Sequence, residues 1–285
     1  MIPNTFDYQR ASSLDEALGL IGTPGTKVLA GGMSLLPLMK LRLASPQRLV
    51  DIGRLAELRG VRQLDDGRLA VGALTTYSEL ADSPARHYGL LRDALPDIGD
   101  VQIRNQGTVG GAVAHCDPAS DLPAVLLALD AEIVARSKRG EQVYAADRFF
   151  TGAFTTALAD DELVTEIRLP GPRDDAGSAY RALSQKASGY SIVGVAAVII
   201  KENGSAITKA GIALTGVGDA PYRAKAVEAA LLGNEGTPES IVAAAAHATD
   251  GVTVAGDIHA DSEYRAAMAV VYTKRAIEAA LGRLG

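Results

Sequence analysis

The chain of 285 residues is short of several things, and each shortage narrows what it can be. It has one cysteine, Cys116, which excludes an internal disulfide and cannot supply the thiolates of an iron–sulfur cluster. Any such cluster must sit on another polypeptide. No apolar stretch approaches the ~20 residues that cross a bilayer. The first ten residues, MIPNTFDYQR, lack the basic-then-apolar order of a signal peptide. A soluble, cytoplasmic protein without integral membrane contact is expected. Long basic runs are missing too, and 28 Lys and Arg stand against 34 Asp and Glu for a net charge of −6. Neither nucleic acid nor a membrane surface is therefore an expected partner.

What is present is globular in kind: 47% hydrophobic and 22% charged residues, in a chain long enough for a sizeable core and two domains. There is no internal repeat and no low-complexity tract. The alanine run at 243–246 is helix-forming composition.

The chain is organised around Val28 to Leu43, VLAGGMSLLPLMKLRL, which reads as a strand, a tight turn and a helix start. Adjacent glycines, Gly31 and Gly32, remove the Cβ atoms that keep backbone away from a ligand and allow positive φ, so consecutive N–H groups can converge on one anion. The helix opening near Leu35 adds unpaired N–H groups, and Ser34 can cap it or donate a hydroxyl. A tight turn without a ligand has the same letters. A second stretch, Gln106 to Ala114 (QGTVGGAVA), repeats the pattern with Thr108, Val109, Gly110 and Gly111. Two glycine-pair loops, each with one hydroxyl, can clasp a diphosphate from two sides. Charge-assisted hydrogen bonds contribute on the order of 1.5–3 kcal/mol each, so no nearby lysine or arginine is needed. The first loop lacks the Lys-Ser/Thr ending of a P-loop, and the second has no G-x-G-x-x-G after a clear strand.

Along the chain, residues 6–8 read as an edge strand, and Ser13 with Glu16 as a capping box before a helix ending at Gly22. Strands at 27–30 and 48–52 flank the first glycine turn, a βαβ-like unit. A hairpin about Asp66-Gly67, a second capping box at Thr76 and Glu79, and a helix over 90–98 lead to the second glycine loop. Asp121 can cap a helix through Leu129, with strands at 132–137, 142–145 and 162–169 after it. PGPRDDAGS, from Pro170 to Ser178, is the clearest composition break. Beyond it, strands at 180–184, 195–201 and 206–215, the last two about an Asn203-Gly204 turn, precede helices at 225–232, 238–248 and 262–281. The second domain is thus a small antiparallel sheet with helices on one side.

AGGMSLLPLMKLRL (Ala30 to Leu43), IRNQGTVGGAVAHCDPASDLPAVLLALDAEI (Ile103 to Ile133) and KASGYSIVGVAAV (Lys186 to Val198) resemble the three signatures of the medium, FAD-binding subunit of molybdenum hydroxylases. That family includes the carbon monoxide dehydrogenase flavoprotein and the FAD domain of xanthine dehydrogenase, and the resemblance runs nearly end to end. It implies an α+β fold: a two-lobed, PCMH-type FAD domain over 1–172, with lobes of about 1–53 and 54–172, and a smaller C-terminal domain over 177–285. FAD should lie between the two domains. The resemblance also implies partners, a large subunit with a molybdenum–pterin cofactor and a small one with 2Fe–2S clusters, in a dimer of heterotrimers where this chain takes the electrons.

By the same resemblance, Ala30, Gly31, Gly32, Met33, Ser34 and Leu35, with Thr108, Val109, Gly110, Gly111 and Ala112, hold the cofactor. Ile98 and Val164 match apolar contacts. Asp121 has two compatible readings, helix N-cap and polar contact to FAD. Tyr190 reads either as a core strand aromatic or, by the resemblance, as a ring on the flavin face; the family's Asp-Tyr is here Gly189-Tyr190. Lys186 matches a basic position that can stabilise the reduced flavin, and reads equally as a solvated lysine. Met33 stands where carbon monoxide dehydrogenases of the family usually have histidine and many heterocycle hydroxylases glutamine, so the substrate is left open. His115, Cys116 and Asp117 are consecutive, and sequence neighbours rarely point at one ion, so no metal site is expected. Arg104 reads as loop support. A stand-alone flavin oxidoreductase of the vanillyl-alcohol type and a flavin-free scaffold are the alternatives.

Overall fold

The computed structural model describes residues 2–202 and 205–284. The first lobe is a parallel three-stranded sheet with Arg48–Asp51 at its centre, Asp7–Arg10 on one edge and Thr26–Leu29 on the other. Parallel neighbours need crossovers, and the helices Leu14–Leu20 and Leu35–Lys40 serve in the two connections. Leu14, Ala17, Leu18, Val50 and Ile52 form its core, which continues into the next lobe through Leu58, Leu74 and Leu163. Only half of the first capping box forms. The Ser13 hydroxyl accepts from the Glu16 N–H, but the Glu16 carboxylate turns to the Ser12 N–H and hydroxyl, at 2.7 and 2.5 Å.

The second lobe carries a five-stranded antiparallel sheet in the order Val61–Gln63, Leu69–Gly72, Leu163–Leu169, Glu132–Ser137, Gly140–Ala145. Both halves of the Thr76–Glu79 capping box form here. The helix expected over 90–98 is Gly89–Ala94, followed by a 3-10 turn at Leu95–Asp97, because Pro96 has no N–H to continue an α-helical ladder. Every residue of the helix Asp121–Ala128 is buried, which is why its sequence is apolar all round instead of amphipathic.

The C-terminal sheet is antiparallel, in the order Ala176–Ser184, Ser191–Ile200, Lys209–Thr215, Tyr222–Arg223. The expected Asn203-Gly204 turn lies outside the described residues. Its own helices, Lys225–Leu231, Pro238–Ala245 and Ser262–Leu281, cover one face, where Val193, Val195, Ala197 and Ile199 point. Alternate residues Tyr180, Ala196 and Ala213 enter the second lobe's core instead. Strand Ser191–Ile200 is therefore apolar along most of its length, as a strand covered on both faces must be. A polar clamp closes the same seam. Asp93 accepts from both terminal guanidinium nitrogens of Arg283 at 2.8 and 2.9 Å and from one of Arg181 at 2.7 Å.

Candidate functional site

All three parts of the chain contribute walls to one cleft of about 1110 Å³, above the ~300–1,000 Å³ of ordinary small-ligand pockets. Ala30 to Leu35 form one side of it. Gly32 has φ +74, a conformation that costs a side-chain-bearing residue roughly 1–2 kcal/mol. Turning the chain this way leaves the N–H groups of Gly31, Gly32, Met33, Ser34 and Leu35 without an acceptor among the described residues, and the first helical bond runs from the Leu36 N–H to the Gly32 carbonyl at 3.0 Å. Ser34 makes no capping bond, contrary to one expectation, so its hydroxyl is also uncommitted. Consecutive unpaired N–H groups ahead of a helix make a concavity for an anion.

The second glycine pair is built differently. It lies inside a helix, Val109–His115, whose N-cap Thr108 accepts from the Gly111 N–H at 3.2 Å. The expected loop is thus a helix start. The Val109 N–H donates to the Thr75 carbonyl at 2.9 Å and the Gly110 N–H to the Ala73 carbonyl at 2.8 Å. A Cβ on Gly110 would lie 2.5 Å from the Ala73 Cβ. The missing side chain therefore admits protein, not ligand. Gly31 is similar: its Cβ would fall 1.9 Å from the Gln106 carbonyl oxygen. The two glycine segments stack backbone to backbone across the lobes. Thr108, Gly110, Gly111 and Ala112 line the cleft, whereas Val109 is buried away from it, 1% exposed.

Asp121 does not cap its helix. It is the first helical residue, and Ser120, at the cap position, makes no side-chain cap bond. The buried carboxylate lines the cleft, and its Oδ1 accepts from the Tyr180 hydroxyl and, at 2.5 Å, from the Ser191 hydroxyl. Burial pushes its pKa up to about 6, against the pull of the two hydroxyl donors. Ile98 and Val164 also line the cleft, Val164 almost fully buried. Arg104 supports the Ile98 side of the wall, donating to the Ile98 and Gly99 carbonyls at 3.1 and 2.9 Å.

Tyr190 is not a core residue: it is 48% exposed and sits on the cleft just before the strand Ser191–Ile200. Its hydroxyl is pushed up by burial, with Asp117 and Asp121 adding to the effect. Lys186 is exposed in the same turn and is not part of the cleft lining. Cys116 is buried at φ 49 and donates to the Gly152 carbonyl. His115 packs tilted on Phe154 with ring centroids 5.1 Å apart, and burial lowers its pKa. Among the described residues no three His, Cys, Asp or Glu side chains gather in a metal-holding group. Sequence reasoning missed Tyr77 and Phe154 in the cleft wall. Tyr77 follows a recognisable cap at Thr76; Phe154, at φ 53, has no comparable signal.

Residues 4–172 match the family of the FAD binding domain in molybdopterin dehydrogenase, and residues 178–280 match the CO dehydrogenase flavoprotein C-terminal domain. The carbon monoxide dehydrogenase medium chain of Hydrogenophaga pseudoflava is 39% identical, over 99% of both chains. The glyceraldehyde dehydrogenase medium chain of Sulfolobus acidocaldarius is 38% identical, over 98% of this chain and 99% of that one. The fold superimposes with a TM-score of 0.95 and 41% identity, over 100% of both chains, on the structure of carbon monoxide dehydrogenase from Hydrogenophaga pseudoflava lacking the Mo-pyranopterin moiety of its molybdenum cofactor. The run of unpaired N–H groups suits an anion such as the FAD diphosphate, and the cleft's volume of about 1110 Å³ is large enough for a dinucleotide. This chain belongs to the FAD-binding medium subunits of the molybdopterin dehydrogenases, oxidoreductases whose flavin domain it carries.

Proposed function

We propose that this chain is the electron-transfer subunit of a cytoplasmic molybdenum hydroxylase, passing electrons from 2Fe–2S clusters on a small partner to an external acceptor. A large molybdenum–pterin subunit supplies those electrons by oxidising the substrate, and the whole is a dimer of heterotrimers. The observation that supports the cofactor's placement is the five consecutive N–H groups, Gly31 to Leu35, left without acceptors among the described residues at the cleft wall. Bound there, FAD links one-electron delivery to the acceptor's chemistry.

In this reading the first glycine segment holds the diphosphate through backbone N–H groups and the Ser34 hydroxyl. Thr108 adds a hydroxyl from the opposite segment, and Gly111 keeps that side open. Ile98 and Val164 exclude water along the apolar part, and Asp121 offers an acceptor. Tyr190 shields one flavin face, while Lys186 acts through its charge in the same turn. Function divides at the 172–177 linker, with diphosphate contacts on 1–172 and the ring cover on 177–285.

Met33, Leu43, Phe154 and Tyr190 both line the cleft and are exposed, an apolar rim suited to a partner subunit. Relatives named for carbon monoxide and for glyceraldehyde are 39% and 38% identical, nearly equal, which supports substrate choice on another polypeptide. Light scattering with flavin, iron and molybdenum analysis on natively purified protein tests the assembly. The expected particle is far larger than one chain and contains all three; a single-chain mass with flavin alone would overturn it.

A further inference from the structure

The buried Asp121 is shared across the seam between the N-terminal lobes and the C-terminal sheet. Its Oδ1 takes two hydroxyl donors, Tyr180 and Ser191, from 59 and 70 residues further along the chain. Tyr180 is fully buried, and a Cβ on Gly194 would lie 1.9 Å from its hydroxyl oxygen, so the strand is hollowed to admit it. Asp121 Oδ2 accepts no side-chain hydrogen bond among the described residues, although the side chain lines the cleft. Ser191 also directly follows Tyr190, so the bond that fixes Asp121 fixes where Tyr190 leaves the sheet.

We propose that Tyr180 and Ser191 are positioning residues: together they orient Asp121 with Oδ2 in the cleft, where it accepts one hydrogen bond from an N–H or O–H of the flavin nucleotide. The inference rests on the cleft being the FAD site. It goes beyond that reading by tying cofactor affinity to two hydroxyls of the C-terminal sheet.

Only the ionised carboxylate is a pure acceptor. Burial raises its pKa and Asp97 adds to the rise, while both hydroxyls and, more weakly, its own backbone N–H oppose it. The other titratable groups facing it are Tyr77, Tyr180 and Tyr190, each held protonated by burial. Among the described residues it forms no ion pair. On the elements packed against its helix, Asp93 is engaged by Arg283 and Arg181, Arg223 and Lys209 are engaged by Asp130, and burial favours neutral His115. The chain segment Ala146–Phe149 adds Asp147 and Arg148.

FAD affinity should thus be level above a pH near 6 and fall below it. Removing one hydroxyl raises the Asp121 pKa further and moves that fall to higher pH. The test is a fluorescence titration of the flavin-stripped full chain with FAD across pH, for wild type, Tyr180→Phe, Ser191→Ala and Asp121→Asn. Near neutrality the two hydroxyl variants should bind about tenfold more weakly, approach wild type in alkaline buffer, and Asp121→Asn should lose the acid limb. Loss of equal size at every pH, or none, would overturn the proposal. If Tyr180→Phe does not fold, Ser191→Ala decides, since its donor reaches the same oxygen. A wild-type chain that binds no FAD at any pH would instead remove the reading of the cleft, and this inference with it.

Discussion

The two glycine pairs look alike as letters and differ as structures. Gly31-Gly32 precedes a helix, turns through φ +74 and leaves five N–H groups unpaired among the described residues, whereas Gly110-Gly111 lies within a helix. There, Val109 and Gly110 have already given their N–H groups to Thr75 and Ala73. A glycine pair thus reports close backbone approach without saying to what. At Gly31 and Gly110 the neighbour is protein, Gln106 in one case and Ala73 in the other. The proposed anion site is consequently lopsided: in that reading the first segment supplies most donors, and the second supplies a hydroxyl and the surface against which the first is braced.

Four substitutions separate these roles, in falling order of effect. Gly31→Ala places a methyl 1.9 Å from the Gln106 carbonyl oxygen, and relief requires the lobes to part. A loss of about 1–3 kcal/mol is expected, as for overpacking, together with loss of flavin; unchanged thermal unfolding would show that the segments do not stack. Gly32→Val strains a left-handed position and presses on Leu36, 2.9 Å from the new Cβ. Flavin absorbance per chain should collapse while the lobes stay docked.

Gly111→Val meets only the Thr108 hydroxyl oxygen, at 2.7 Å. Disturbing that cap should cost about 1 kcal/mol and lower FAD occupancy less than Gly32→Val does; the reverse order would break the comparison. Tyr190→Ala should have the smallest effect on binding, since ring stacking contributes ~0.5–1.5 kcal/mol. It should keep FAD but alter the flavin spectrum and reoxidation rate, with Tyr190→Phe altering both less. Unchanged spectra and rates would remove Tyr190 from the flavin face.

Much of this was legible in the sequence for local reasons. Hairpin letters at Asp66-Gly67, the cap at Thr76 and the long helical run at 262–281 act on immediate neighbours, and the structure has all three. What the letters hid depends on tertiary contact. Helix Val101–Gln106 buries no residue, so it has no apolar period to read. The helix start at Val109 carries two glycines, poor helix formers, because packing on Ala73 overrides propensity. Asp121 looks like a cap, since nothing near it reveals that its oxygen is reserved for Tyr180 and Ser191 on distant strands. Tyr190 sits beside a strongly apolar strand and would pass for core, yet Gly189, at φ +76, turns the chain immediately before it.

The central claim is that unpaired backbone N–H groups of the first glycine segment hold the FAD diphosphate. Amide proton and nitrogen shifts of the full chain, followed as FAD is added, test it most directly. The account predicts large downfield proton shifts at Gly32, Met33 and Ser34, with little change at Val109 and Gly110, whose N–H groups already have protein acceptors. Large shifts at Val109 and Gly110 with none at Gly32 to Ser34 would contradict it.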